Sequence, residues 1–151
     1  MSINEIQDKI IDDFSPYSES SEKHKQLIKL AKESETLDKS FKTSANAVKG
    51  CQSTVWVVSE MSNDGKMRIQ GDTEVMITKG ILTLILRVYN NQKPDDILST
   101  NLYFLEKIGL KQSLSPQRAN GVLAIIEYIR NIAKMNNNQA NFAGMENKKT
   151  I

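Results

Sequence analysis

Two stretches near the start of the chain carry apolar residues at helical spacing. The first opens with Ser2 and Glu5, a capping-box pair that predicts where a helix begins. Its apolar residues recur every three or four positions: Ile3, Ile6, Ile10 and Phe14. A second helix is predicted from Glu22, with similar spacing along one stripe: His24, Leu27, Ile28 and Ala31. The chain is therefore predicted to begin with two amphipathic helices.

The hydrophobic period then changes from that of a helix to that of a strand. The run "TVWVVSE" is β-branched and aromatic, and "KMRIQ" alternates apolar with polar residues. Asp64-Gly65 between them is a dipeptide typical of tight hairpin turns. Residues 54–70 are therefore predicted to form an antiparallel hairpin, with Trp56 in the core. The segment from Asn46 to Val48 is a candidate third strand.

A buried helix is predicted directly after the hairpin. The run from Val75 to Val88 is apolar nearly all round, which is typical of a helix in the middle of a domain. Lys79 is its exception and is predicted to reach solvent. Asp72 or Thr73 is predicted to cap the first turn.

Proline and glycine mark the helices that follow. Pro94 suits the first turn of a short helix, and Gly109 suits the C-cap of the next one. The last helix is predicted to open with Ser115 as N-cap and Pro116 at its first position. Its buried stripe is Val122, Ile125, Ile126, Ile129 and Ala133. The whole pattern predicts the α+β class, with helices packed on a small antiparallel sheet.

The length and the net charge of the chain argue against several classes of protein. The 151 residues suit one domain, predicted over residues 1–135, and the polar stretch 136–151 is predicted to be a disordered tail. A net charge of +2 without a long basic run gives no basis for a nucleic-acid interface. Lys79 and Arg87 interrupt the longest apolar stretch, and the acidic first residues do not resemble a signal peptide. Together with the single cysteine, these features predict a cytoplasmic protein.

Few residues are available for catalysis or metal binding. One cysteine and one histidine cannot build a closed zinc site, so no metal is expected. His24 lies on the apolar stripe of its predicted helix, so a packed side chain is expected there rather than the base of a thiol protease. The chain has no phosphate loop, no dinucleotide fingerprint and no carboxylate pair at catalytic spacing.

Cys51 lies between Gly50 and the polar pair Gln52-Ser53, directly before the first strand. A free cysteine is most often a small buried hydrophobic residue, and that interpretation stays open. Gly50 permits a bend, and the polar neighbours do not suit an apolar interior, so a turn or loop tip is predicted. The spacing does not say which chemistry the thiol performs.

The run "GCQSTVW" at residues 50–56 resembles the GCQSxVW motif of the SufE family of sulfur-acceptor proteins. "GDTEVMITKGI", "KPDDIL", "IGLKQSLSP" and "QRANG" follow in order and are similar to further blocks of that family. The resemblance extends from about Ile3 to Ala133. The positions that depart from the family's usual residues are Glu74, Ser113, Gln117, Ala119 and parts of the helix over Lys23 to Glu33.

The resemblance implies a fold shared with IscU-type scaffolds and a role for Cys51. The thiol would take sulfur as a persulfide from a pyridoxal-phosphate cysteine desulfurase of the SufS type, stimulate that enzyme, and pass the sulfur to an iron–sulfur scaffold of the SufBCD type. Such a carrier is not itself an enzyme and needs no cofactor of its own. The resemblance also marks supporting or partner-contact residues: Gly50, Gln52, Asp72, Glu74 and Arg118.

Two other classes of function stay open. A SufE-fold adaptor would bind a partner without transferring sulfur, which the departures at Ser113 and in the helix over Lys23 to Glu33 allow. A rhodanese-like sulfurtransferase would turn over a small anionic sulfur donor. The sequence around Cys51 has no basic cluster that would bind such an anion.

Overall fold

The computed structural model of the protein describes the backbone of residues 1–149 and the side chains of residues 1–137. The strands are β1 (Val55–Met61) and β2 (Met67–Thr73). The helices are α1 (Ile3–Phe14), α2 (Ser20–Glu33), α3 (Met76–Tyr89), α4 (Pro94–Ser99), α5 (Phe104–Lys107), α6 (Leu110–Ser113) and α7 (Pro116–Lys149). The connection from α2 to β1 contains two short 3₁₀ turns, Lys39–Phe41 and Ser44–Asn46. This confirms the predicted class, helices packed on a small antiparallel sheet.

The two strands form the predicted hairpin. Val55 lies opposite Thr73, and the register continues to the pair Met61 and Met67 next to the turn. Gly65 in the turn has φ +78°, a left-handed conformation that glycine adopts without steric cost. Trp56 is only half-buried, so its prediction as a core residue is wrong.

The structure corrects two predictions at the edges of the hairpin. β2 continues to Thr73, so Asp72 and Thr73 are strand residues and do not cap α3. α3 begins after Val75, and its N-terminus has no side-chain cap. The candidate third strand is reduced to an isolated bridge between Ala47 and Trp56, because the chain turns away from the sheet on both sides of it.

α3 is the central helix, as its nearly uniform apolar composition predicts. It packs against α2, β2, α1 and α7. Its buried side chains are Ile81, Leu82, Leu84, Ile85, Val88 and Tyr89. Gly80 lies against the backbone of α2 so closely that an added Cβ would overlap the Leu27 carbonyl. A glycine at this helix crossing is therefore required by packing.

α1 is joined to the second half of the chain by the buried side chain of Gln7. Its Oε1 accepts hydrogen bonds from the N–H groups of Tyr103 (2.8 Å) and Phe104 (3.2 Å), at the start of α5. Its Nε2 donates to the Asn101 carbonyl at 3.0 Å. Gln7 thus satisfies backbone groups that short helix α5 leaves unpaired, as buried polar groups require.

The last helices begin as predicted, but their lengths differ. Ser115 precedes α7, and its Oγ accepts a hydrogen bond from the Arg118 N–H at 3.3 Å. Gly109 has φ +76° and separates α5 from a further one-turn helix, α6. The backbone of α7 stays helical to Lys149, through most of the segment predicted to be disordered, because no proline interrupts it after Pro116. Residues 150 and 151 lie outside the described residues, and the division into domain and tail stays a prediction.

Asp72 lies at the centre of a buried ion-pair cluster. Its two carboxylate oxygens pair with Lys42 Nζ and Lys79 Nζ, each at 3.2 Å. They also accept hydrogen bonds from the N–H groups of Leu37 (3.0 Å) and Thr73 (2.8 Å). Lys79 is only partly exposed, and its ammonium group is paired with Asp72. Burial raises the pKa of Asp72, but the hydrogen bonds from Leu37, Lys42, Lys79 and Thr73 outweigh it and leave that pKa below its ordinary value.

Asp72→Asn is expected to lower the free energy of unfolding by about 2–4 kcal/mol at neutral pH, because it leaves two lysines without their buried counter-charge. Since the pKa of Asp72 is lowered in the folded state, its contribution is complete above the unfolded pKa of about 4 and is lost as the pH falls through the folded value. Urea denaturation from pH 7 downward measures both effects. The control is Asp12→Asn, which changes an exposed side chain on α1. It should lower the free energy of unfolding by less than about 0.5 kcal/mol. Equal losses in the two variants would contradict the assigned role of the cluster.

Candidate functional site

Cys51 lies at the tip of the loop over residues 49–54, which lies between the Ala47–Trp56 bridge and β1. A hydrogen bond from the Val48 N–H to the Val55 carbonyl, 2.8 Å long, closes the base of this loop. Gly50 takes φ +93°, and an added Cβ there would lie 3.2 Å from the Ala124 Cβ of α7. Gly50 therefore lets the chain turn in a left-handed conformation while it lies directly on the helix.

The thiol of Cys51 points back toward α7. Its side chain is half-buried and packs at the margin of the apolar core. The S–H donates to the Gly121 carbonyl at 3.4 Å. Burial raises the pKa of the Cys51 thiol, because it disfavours the thiolate. The free protein thus presents a thiol that is mostly protonated at neutral pH and weakly nucleophilic.

A cavity of about 230 Å³ lies beside this thiol. The lining residues come from the loop, from the N-terminal end of α3 and from the first turns of α7: Cys51, Gln52, Ser53, Val75, Thr78, Gln117, Arg118 and Gly121. Arg118 is the only charged residue among them, and Gln52, Gln117 and Arg118 are exposed at the surface. The thiol therefore faces a small cavity whose outer parts are polar and which carries one positive charge.

The structure brings some of the predicted site residues together and separates others. Cys51, Gln52 and Arg118 line one cavity, and Gly50 shapes the loop beside them. Asp72 does not line the cavity, since its carboxylate is held in the ion-pair cluster. Glu74 is exposed in the short connection between β2 and α3 and does not line the cavity either.

Sequence reasoning missed several lining residues. Val75 and Thr78 belong to a run that the sequence marks only as a buried helix, and nothing in that run indicates that its first turn faces Cys51. Gln117 and Gly121 lie in the "QRANG" block on either side of Arg118. That block was the available signal, because residues 117, 118 and 121 lie on one side of a helix.

His24 and metal binding can be assessed from the same geometry. His24 Nε2 lies 3.2 Å from the Ser113 carbonyl, so the side chain joins α2 to α6 and does not line the Cys51 cavity. Among the residues whose side chains the structure describes, no three His, Cys, Asp or Glu side chains come close enough together to hold a metal ion.

A known protein family matches most of this chain. The profile of the SufE family, described as an Fe-S metabolism associated domain, matches residues 8–133. The chain belongs to the SufE family. The Cys51 loop, the hairpin and the first turns of α7 all lie within the matched SufE region, which confirms the resemblance found in the sequence motifs.

Relatives support the SufE assignment along most of the chain. An uncharacterized SufE-like protein of Rhizobium etli is 33% identical over 132 residues, which cover 85% of this chain and 89% of that protein. One from Synechocystis is 32% identical over 122 residues, which cover 81% of this chain and 76% of that protein. The solution structure of a hypothetical protein from Thermus thermophilus has the same fold, with a TM-score of 0.70 at 16% identity over 87% of this chain and 95% of that one. In the part of the chain that the structure describes, no helix is both long and apolar enough to cross a membrane.

The positions that depart from the usual SufE residues lie mostly away from the thiol. The Ser113 Oγ donates hydrogen bonds within α6, to the carbonyls of Gly109 (3.1 Å) and Leu110 (3.2 Å). Ala119 lines a separate apolar groove between α6 and α7. Gln117 is the departure that lines the Cys51 cavity. Of the departures that the sequence motifs indicate, Gln117 is therefore the one that lies beside the thiol.

Gly50→Ala is expected to lower the free energy of unfolding by about 1–2 kcal/mol, because alanine is strained at φ +93° and its methyl group presses on Ala124. Gly65→Ala is a matched control at φ +78° with nothing within 4 Å of an added Cβ, so it carries the backbone strain alone. Urea denaturation of both variants measures the difference. A loss for Gly50→Ala no larger than that for Gly65→Ala would show that the loop is not packed against α7 as described.

Proposed function

We propose that this protein is a cytoplasmic sulfur carrier whose Cys51 accepts sulfur from a pyridoxal-phosphate cysteine desulfurase of the SufS type and passes it to an iron–sulfur cluster scaffold of the SufBCD type. The observation that carries the proposal is the chain's single cysteine at a loop tip, beside a small cavity, in a chain of the SufE family. The pyridoxal phosphate belongs to the desulfurase. This chain contributes the acceptor thiol and a surface that stimulates the desulfurase on docking.

The transfer is an exchange between sulfur atoms. The Cys51 thiolate attacks the outer sulfur of the desulfurase persulfide, the S–S bond of that persulfide breaks, and the desulfurase cysteine leaves as a thiolate. Cys51 then carries the outer sulfur as its own persulfide, without any net oxidation or reduction of the pair. Delivery repeats the step with an acceptor group of the scaffold. The step requires a thiolate, access to it and alignment, and it needs no second catalytic group on this chain.

The resting geometry supports a carrier that reacts selectively. Half-burial and the hydrogen bond to the Gly121 carbonyl keep Cys51 protonated and turned inward, so free oxidants and electrophiles meet a poor nucleophile. A partner that draws the loop outward removes the burial that raises the pKa of the thiol. The guanidinium of Arg118, which lines the cavity, is then available to favour the thiolate and the persulfide anion.

Incubation with a SufS-type desulfurase and cysteine is expected to add the mass of one sulfur atom to the protein, and a reductant should remove it. Intact mass spectrometry measures the gain. Cys51→Ser is the matched control, since it replaces one sulfur by oxygen and removes the acceptor. Sulfur bound to Cys51→Ser, or none on the natural protein, would overturn the carrier role. A natural protein that binds the desulfurase but gains no sulfur would favour the adaptor.

Alkylation of Cys51 by a bulky thiol reagent is expected to be slow in the free protein and about tenfold or more faster when a desulfurase lacking its own cysteine is bound. The rate in the free protein should keep rising at pH values where an ordinary cysteine has already reached its limit, because burial raises the pKa of this thiol. Stopped reactions analysed by mass spectrometry measure both rates. Fast labelling of the free protein that the partner does not change would refute the gating of the loop while leaving sulfur transfer intact.

A further inference from the structure

Among the residues whose side chains the structure describes, two glycines lie inside long helices, at positions where glycine weakens a helix. Packing explains Gly80, since an added Cβ would overlap the backbone of α2. Packing does not explain Gly121 in α7. It is buried, but an added Cβ would lie 3.7 Å from Cys51 Sγ and 3.9 Å from Cys51 Cα, at ordinary van der Waals distances. An alanine would fit at 121 in the resting protein, so the packing of the free thiol does not require this glycine.

A persulfide on Cys51 needs more room than the thiol, because it carries a second sulfur atom. An S–S bond of about 2.05 Å holds the outer sulfur next to Sγ, whatever the size of the cavity beyond. An alanine at 121 would place its methyl group 3.7 Å from Sγ. If the S–S bond pointed within about 60° of the line from Sγ to that methyl group, the outer sulfur would come to about 3.2 Å or less from it. This is closer than carbon and sulfur pack without repulsion. A side chain at 121 would therefore exclude the outer sulfur from these directions, whereas glycine places no side-chain atom there.

We propose that Gly121 positions the outer sulfur of the Cys51 persulfide inside the cavity by leaving it this space. The loaded carrier then keeps the loop closed on α7, as in the thiol form, instead of turning the persulfide out to solvent. The inference rests on the proposed function for its meaning, since it supposes that the cysteine carries sulfur.

The polar and charged groups that line the cavity are of types that can bind the outer sulfur of a persulfide. The Gly121 carbonyl, which accepts the S–H of the thiol, can accept the terminal S–H of a protonated persulfide in the same place. Thr78 and Gln117 line the same cavity, and a hydroxyl and a carboxamide are groups that can donate hydrogen bonds to a persulfide anion. Arg118 adds a positive charge at the cavity's edge. The cavity thus offers partners to both protonation states of the outer sulfur.

The test uses Gly121→Ala and loads the protein without a desulfurase. Inorganic polysulfide supplies the sulfur: the Cys51 thiolate attacks a sulfur of its chain, an S–S bond of the polysulfide breaks, and the shortened polysulfide leaves with the electron pair. Intact mass spectrometry then follows removal of the outer sulfur by a water-soluble phosphine. We expect the loaded variant to lose its outer sulfur about fivefold or more faster than the natural protein. Because no desulfurase takes part, a failure here and a failure of the carrier proposal are distinguishable.

Alkylation of the unloaded thiol separates this effect from a general loosening of the loop. The rate should agree within about twofold between Gly121→Ala and the natural protein, since the added methyl group meets the resting thiol at ordinary contact distance. Asn120→Ala, an exposed neighbour on α7, is the matched control for helix propensity and should match the natural protein in both assays. Equal persulfide lifetimes in Gly121→Ala and the natural protein would overturn the proposal. So would an equal acceleration of thiol alkylation and persulfide loss, because glycine would then serve loop packing alone.

A measurement on the natural protein alone keeps the test decisive if the variant does not fold. The persulfide of the folded protein should lose its outer sulfur about tenfold or more slowly than the same persulfide in denaturing urea. Similar rates in the two conditions would show that the cavity does not shelter the outer sulfur, and the proposal would be wrong.

Discussion

The buried carboxylate of Asp72 connects three parts of the chain: the end of β2, the helix α3 through Lys79, and the α2–β1 connection through Leu37 and Lys42. A carboxylate with 2% exposure is stable as an anion only while its partners stay in place. Val75 and Thr78 follow shortly after it and form one wall of the Cys51 cavity. The cluster therefore supports that wall, although its one acidic group, Asp72, does not line the cavity.

The opposite wall belongs to α7, and the Cys51 loop lies between the two. The loop is closed at its base by the bond between Val48 and Val55, whereas its tip is held by the Cys51–Gly121 hydrogen bond and the close packing of Gly50. Moving the tip breaks weak contacts and leaves the hairpin intact. A scaffold that is rigid on both sides of a detachable loop can shield the thiol and expose it in turn, as the proposed carrier role requires.

Local signals predicted the elements of this fold well, because their causes lie within a few residues. The Ser2 capping box, the Asp64-Gly65 turn and the Ser115-Pro116 helix start are all present in the structure. Asp72 was misplaced as a helix cap because its partners Lys42 and Lys79 are brought to it only by the tertiary fold. The motif around Cys51 located the thiol, but not the inward direction of its side chain. Nor did any short-range pattern reveal that Val75 and Thr78 face it.

The hydrogen bonds of Gln7 have a consequence for how the chain folds during synthesis. α1 is made well before α5, yet the backbone groups that satisfy Gln7 belong to Asn101, Tyr103 and Phe104. α1 can pack on α3 once that helix has formed, but the Gln7 side chain lacks its hydrogen-bond partners until residues 101–104 have been made. The buried side chain of Gln7 therefore reaches its hydrogen-bonded state only after the hairpin and the central helix have been made.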